Sequence, residues 1–399
     1  MEKRLKILFL TPRFPFPLIG GDRLKPYMTL KHLAEKHDVT LVTLNHGGYP
    51  NKSNIYELIS LGLELFPIPL DPVKASMRTI PLTLLAGQPL EIAFYNHSLF
   101  GLRVDRLLKE RNFDIAFCFF MRTAEFIKNK PIKKVLMAED CRTLYQKRSY
   151  EETTNPKQKL IRWWEYRKLL NYEPKTMEMF DTVTFVTNED IEAMKQYTTV
   201  PNYMLLTNGT DIDKFSPNID NSKRKGILFA GKLDIWANVL MVERIAKEIM
   251  PIIWQKIPVA ELTLVGANPS KAILAMASDR IKIHSNVPDM TPYLQSASMF
   301  LHPHSGGSGI QNKLLEAMSC ACPVITTPTG KQGIPAVNGD SILIGKTNEE
   351  LAENVIKLIE DKEFAAQLGN AGRDVIVNNL SWEAVYRQID NVIEATMLR

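Results

Sequence analysis

Short apolar runs separated by longer amphipathic stretches recur along the chain, and they set the expected fold. In the first half, Lys6–Leu10, Val39–Thr43, Leu63–Ile68, Asp114–Phe119, Lys134–Met137, Thr182–Phe185 and Tyr203–Leu206 read as strands buried on both faces. Helical periodicity fills most of the intervals. Alternation of this kind predicts a parallel sheet with helices on both faces. Polar Asn218–Lys225 breaks the pattern and reads as a linker. The alternation then restarts, with strands expected at Gly226–Ala230, Glu261–Val265, Ile281–His284, Met299–His302, Pro323–Thr326 and Ser341–Ile344. Helices are expected at Val239–Ile249, Asn348–Asp361 and Lys362–Val377, and a last one near Trp382–Met397. There Ser381 is a candidate N-cap, and Trp382, Val385, Ile389, Val392 and Ile393 form an apolar stripe. Two doubly wound sheets predict ligand binding in a crevice at the carboxyl ends of their strands.

Bulk properties narrow the class. A chain of 399 residues can form two ordinary domains, and 45% hydrophobic with 23% charged residues is typical of globular proteins. No apolar run approaches the length of a membrane-spanning helix. Met1-Glu2-Lys3-Arg4 enters a strand pattern with no small-residue cleavage site, so a signal peptide is not expected. Cys118, Cys141, Cys320 and Cys322 make no disulfide framework and no zinc-ligand spacing; they read as reduced, which suits the cytoplasm. A net charge of +5 is too mild to imply a nucleic-acid partner and suits an anionic small molecule or lipid surface.

The most informative stretch is Ser305–Thr327. The turn-rich run Ser305-Gly306-Gly307-Ser308-Gly309 leads into a helical pattern whose apolar side is Leu314, Leu315 and Met318. Gly309, Lys313 and Glu316 fall at i, i+4 and i+7 and share another face. A glycine-rich turn at a helix N-terminus offers free N–H groups and the positive end of the helix dipole to a phosphate. A lysine one turn in adds positive charge, and a glutamate two turns in can accept hydrogen bonds from sugar hydroxyls. Together these point to a nucleotide sugar. Taken singly, Glu316 also reads as an ordinary helix carboxylate paired with Lys313.

Gly309–Met318 with Pro323-Val324 resembles the donor-site motif of GT-B glycosyltransferases of family 4, the retaining "group 1" enzymes, and is most similar to the branch linked to exopolysaccharide synthesis. The resemblance spans nearly the whole chain. Ile7–Pro17 with Gly20-Gly21-Asp22 resembles the family's first strand and glycine loop. Asn208-Gly209-Thr210-Asp211 with Phe215 and Pro217 resembles its NG-x-D…F-x-P signature. Phe229-Ala230-Gly231-Lys232 with Asn238, Val287-Pro288-Asp289 before Tyr293, and Ser381-Trp382 complete the set in order.

The resemblance implies an α/β GT-B fold: two Rossmann-like doubly wound domains facing each other across a cleft. The first, 1–215, would serve the acceptor; the second, 226–378, would hold the donor; 379–399 would be a helix crossing back to the first. It implies a metal-independent retaining transferase that moves a sugar from a nucleotide diphosphate sugar to a glycan or lipid-linked acceptor in polysaccharide biosynthesis. The donor is a substrate, and no cofactor and no metal are expected. Lys232, Lys313 and Asp140 are the expected catalytic residues. Glu316, Gly309, Ser308, Gly307, Gly20, Gly21, Gly231 and Val287 are expected around the donor.

Two departures stand out. The family places a first carboxylate where this chain has Ser308, which points to altered sugar contact. It also commonly carries Lys where this chain has Asn238, which removes one positive charge.

Pro156–Phe180 interleaves Lys157, Lys159, Arg162, Arg167 and Lys168 with Trp163 and Trp164, a pattern suited to an anionic membrane surface. Glu165, Glu173 and Glu178 dilute that charge. Location is therefore expected in the cytoplasm, with peripheral contact at the inner membrane face. Two rival readings are a nucleotide-sugar epimerase on the same fold and a non-catalytic nucleotide-sugar-binding partner.

Overall fold

The computed structural model describes residues 4–18, 20–218, 223–306 and 309–399. The chain divides into two compact units, Met1–Thr207 with Tyr386–Arg399, and Asn208–Val385.

In the first unit, β1 (Lys6–Thr11), β2 (Asp38–His46), β3 (Glu64–Leu70), β4 (Ile115–Phe119), β5 (Lys133–Glu139), β6 (Thr182–Phe185) and β7 (Asn202–Leu205) form one sheet. Its order is β3-β2-β1-β4-β5-β6-β7, and every pairing is parallel. All of β4 and β6 and nearly all of β1 are buried, because helices exclude water from both faces. That explains the apolar runs without alternation. Phe9 and Phe117, on neighbouring strands, stack at 5.9 Å in the core. Asp114, expected inside β4, instead precedes it; its carboxylate accepts the Lys6 N–H at 2.7 Å and ties the start of the neighbouring central strand β1.

Residues Tyr386–Arg399 count with this unit. The rings of His32 and Tyr386 stack at 4.4 Å, and His32 Nε2 lies 2.8 Å from Asp390. Gln388 accepts the Thr207 N–H at 2.8 Å, and the Thr396 hydroxyl donates to Thr182 at 2.8 Å.

The second unit holds β8 (Ile227–Ala230), β9 (Leu262–Gly266), β10 (Ile281–Ser285), β11 (Met299–His302), β12 (Val324–Thr326) and β13 (Leu343–Ile344), ordered β10-β9-β8-β11-β12-β13 and again parallel. In both sheets the strand order reverses once, between β1 and β4 and between β8 and β11. At such a reversal the connecting loops diverge and leave a crevice. The helix expected at Val239–Ile249 runs as Trp236–Arg244, a wider turn over Ile245–Ile249, and Met250–Lys256. The Met250 N–H bonds to the Ile245 carbonyl. Pro251 follows directly and, lacking an N–H, cannot continue the regular ladder. All four cysteines are free and buried. Among the described residues no helix is long and apolar enough to cross a membrane.

Candidate functional site

In the second unit, Gly231 directly follows β8 and His302 ends β11, the two neighbours at the reversal point. A Cβ at Gly231 would sit 3.0 Å from Asn238 Nδ2 and 3.2 Å from Lys313 Nζ. Glycine here lets both side chains reach across the strand end. The Asn238 amide donates from Nδ2 to the Lys232 carbonyl at 2.8 Å and accepts Lys313 Nζ at Oδ1, 2.7 Å away. Asn238 thus orients the lysine rather than supplying a second charge. Lys313 also lies 5.4 Å over the Phe229 ring. The Lys232 side chain is exposed.

Lys313 and Glu316 lie on the helix Asn312–Ser319, whose Leu314, Leu315 and Met318 are buried as the spacing predicts. Gly309 precedes it at φ 77°, in the left-handed region that favours glycine. Lys313 and Glu316 keep some exposure, but their charged ends lie among many protein atoms. Burial pushes the Lys313 ammonium down to about 8, with Glu316 opposing. Burial pushes the Glu316 carboxyl up to about 7, with Lys214 and Lys313 opposing. No hydrogen bond among the described residues goes to the Glu316 carboxylate. An enclosed lysine and a bare carboxylate beside a tight turn are matched to a ligand carrying both anionic oxygens and hydroxyl donors. His302 is fully buried one strand away, and its Nε2 has no partner among the described residues.

Sequence reasoning missed Lys214. Asn208 Nδ2 donates to Asn312 Oδ1 at 2.9 Å, and a Cβ on Gly209 would meet the Trp382 ring at 2.6 Å. The Asp211 carboxylate accepts the N–H groups of Asp213 and Lys214 at 3.2 and 2.9 Å. Ser319 Oγ, on the Glu316 helix, donates to the Phe215 carbonyl at 2.6 Å. This turn places the exposed Lys214 within electrostatic reach of Glu316. The only available signal was its place in the NG-x-D…F-x-P motif, directly before Phe215. Val287 is half-buried in the loop after β10. Nearby Asp289 is held below its ordinary range by Thr291's N–H and hydroxyl, with Lys214 adding to the effect. Gly307 and Ser308 lie outside the described residues.

Gly20, Gly21 and Asp140 belong to the first unit. Gly20, at φ 93°, opens the helix Gly21–Lys36, and its carbonyl accepts the Leu24 N–H at 3.0 Å. From that helix the buried Lys25 pairs with Glu139 at 2.8 Å and donates to the Leu206 carbonyl at 2.7 Å. Asp140 follows β5 and is half-buried, with Arg142 Nη1 3.2 Å away. Arg142 also grips Glu91 with two hydrogen bonds of 3.0 Å. Arg13 pairs with Asp22 at 2.8 Å and donates to the Tyr95 hydroxyl at 3.3 Å. Burial pushes His46 down, and Arg13, Arg23 and Arg122 push it the same way. Arg13 from the loop after β1, Arg23 from the helix Gly21–Lys36 and Arg122 from the short helix Met121–Phe126 therefore gather around the end of β2, a cluster invisible in one dimension.

Residues 224–361 match the family model described as glycosyl transferases group 1. The GDP-mannose-dependent monoacylated alpha-(1-6)-phosphatidylinositol monomannoside mannosyltransferase of Corynebacterium glutamicum is 25% identical over 237 residues, 54% of this chain and 62% of that protein. An uncharacterized 44.6 kDa protein in the cps region of Klebsiella pneumoniae is 20% identical across 96% of this chain and 98% of its own. Among solved structures, Anabaena Alr3699/HepE in complex with UDP and glucose aligns over 98% of this chain and 100% of that one, with TM-score 0.68 at 14% identity. That likeness carries the fold, and the family match falls on the unit that holds Lys313 and Glu316. The chain has the GT-B fold, and its residues 224–361 are similar to the group 1 glycosyl transferases.

Proposed function

We propose that this chain is a retaining, metal-independent hexosyltransferase that moves a sugar from a nucleoside diphosphate sugar to a glycan or lipid-linked acceptor during polysaccharide biosynthesis. It would work at the cytoplasmic face of the membrane. The observation that carries the reading is the enclosed pair Lys313 and Glu316 on one helix directly after the Gly309 turn. In this reading Glu316 accepts hydrogen bonds from the donor ribose. Gly231 leaves room for the diphosphate, and Val287 lies beside the nucleoside. As the bond from the sugar C1 to the diphosphate oxygen breaks, Lys313, Lys232 and the turn's N–H groups stabilise the departing charge electrostatically. The acceptor oxygen bonds to C1, and its proton passes to the departing phosphate on the same face. Gly20 and Gly21 serve the donor phosphates, and Asp140 orients the acceptor. Arg13, Arg23 and Arg122 suit an acceptor that carries phosphate or carboxylate.

The Anabaena complexes hold UDP, and the Corynebacterium relative uses GDP-mannose, so UDP- and GDP-sugars head the test panel. The bound donor must raise the melting temperature by mass action. Nucleoside diphosphate release should then appear only with acceptor, and should persist in excess chelator. Release without acceptor, with C-epimerised sugar recovered, would make the chain an epimerase. Binding with no turnover on any cell-envelope acceptor would make it a binding partner. Activity lost in chelator and restored by magnesium would refute the metal-free step.

A further inference from the structure

The helix Pro72–Leu84 turns an unpartnered apolar stripe to solvent. Val73, Met77, Ile80 and Leu84 are 68, 68, 63 and 61% exposed, and Leu85 beyond them is 88% exposed. The spacing i, i+4, i+7, i+11 puts the first four on one face, while Ala75, Thr79 and Thr83 face the core. Exposed Lys74 borders the stripe with Asp71 3.9 Å from its Nζ, Arg78 is half-buried, and the helix itself carries no acidic residue. Asp71 is its N-cap, accepting the N–H groups of Val73 and Lys74.

A second helix, Pro156–Met177, is tied to the end of the first. Lys168 Nζ donates to the Thr83 carbonyl at 3.2 Å, and the Glu165 carboxylate accepts the N–H groups of Leu90 and Glu91 at 2.8 and 3.3 Å. Leu160, Ile161 and Trp163 are 64, 54 and 44% exposed, among Lys157, Lys159 and Arg162. The glutamates that dilute the helix's charge in sequence do not dilute its outer face. Glu165 and Glu173 are buried, and Glu173 is spent on the N–H groups of Arg142 and Thr143 at 2.9 and 2.7 Å. Glu178 is exposed, but it caps the far end. The outward side of both helices is therefore apolar and cationic.

We propose that the helices Pro72–Leu84 and Pro156–Met177 form a docking surface for a membrane containing anionic lipid. Apolar side chains bordered by lysine and arginine insert at the headgroup boundary, where acidic headgroups neutralise the rim. A symmetric contact with a second copy would instead set like charges against each other. The biological sense of the surface rests on the lipid-linked acceptor proposed above, but vesicle binding is independent of catalysis and can fail while transfer persists.

The test is co-sedimentation of the full chain with vesicles of phosphatidylcholine alone or with about one-third phosphatidylglycerol. Binding is expected to the mixed vesicles only and to weaken with salt. The double variant Met77→Asp/Ile80→Asp, at exposed positions that spare the core, should lower partitioning at least tenfold with an unchanged melting temperature and unchanged transfer to a water-soluble acceptor. Lys157→Glu/Arg162→Glu should do the same. No binding to mixed vesicles, equal binding by both variants, or a dimer in solution that Met77→Asp/Ile80→Asp dissociates would overturn the proposal.

Discussion

Glu316→Gln should make the empty protein more stable and the donor complex weaker. The substitution keeps the shape of the side chain and removes its charge. In the native protein burial raises the carboxyl from 4.5 to about 7. Each tenfold gain in proton affinity corresponds to about 1.4 kcal/mol, so the ionised group costs at most about 3 kcal/mol in the absence of ligand. That figure is already net of the attraction to Lys214 and Lys313, and partial exposure of Glu316 reduces the expected gain to roughly 1–2 kcal/mol. The sign follows from proton counts. Between pH 4.5 and about 7 the native state holds a proton that the unfolded chain has released, so the parent loses stability as pH rises through that window. The glutamine variant has no such loss. Its unfolding transition, followed by calorimetry, should lie roughly 2–8 °C above the parent's at pH 8 and coincide with it below about pH 4.5. Titration calorimetry at pH 8 should meanwhile show nucleoside diphosphate affinity weaker by roughly 1.5–3 kcal/mol, the scale of a hydrogen bond to a charged group. A variant less stable than the parent at pH 8, or one that binds the nucleotide as tightly, would refute the claim that this carboxylate is held for a ligand.

The same pair predicts a pH profile. Donor affinity of the parent should peak between about 7 and about 8, falling on the acid side as Glu316 takes up a proton and on the alkaline side as Lys313 loses one; an affinity flat from about pH 5.5 to about 9.5 would remove both from the site. Asn238→Ala should free Lys313 and lower kcat by roughly 10–100-fold with a smaller change in donor Kd, because the charge on the diphosphate grows in the transition state; unchanged steady-state kinetics would show that the amide does no positioning. Lys25→Met strands the buried Glu139 and should cost roughly 3–5 kcal/mol of first-unit stability by urea unfolding. The double variant Lys25→Met/Glu139→Leu should recover part of that loss, and a double variant no better than the single would argue that the pair is not coupled.

What the sequence made legible depended on whether a feature is local. The strands could be read because a parallel sheet covered on both faces needs continuous apolar runs, as in Ile115–Phe119. Gly309, Lys313 and Glu316 could be read because one helix and its preceding turn carry them all. The roles of Asn238 and Lys214 could not, since each depends on a tertiary contact: Asn238 bridges the Lys232 carbonyl to Lys313, and Lys214 reaches Glu316 through the Asp211 turn. Glu165 and Glu173 are the instructive case. Counted as charge they weaken the basic helix Pro156–Met177, yet with Leu169 and Met177 they fall at i, i+4, i+8 and i+12, the buried stripe of that helix. A carboxylate on a core-facing stripe must find donors inside the protein. Here it finds them at the starts of two other helices, Leu90–Tyr95 and Arg142–Glu152. Assigning each charge to a face before summing would have turned the same residues from evidence against a cationic outer surface into evidence for it.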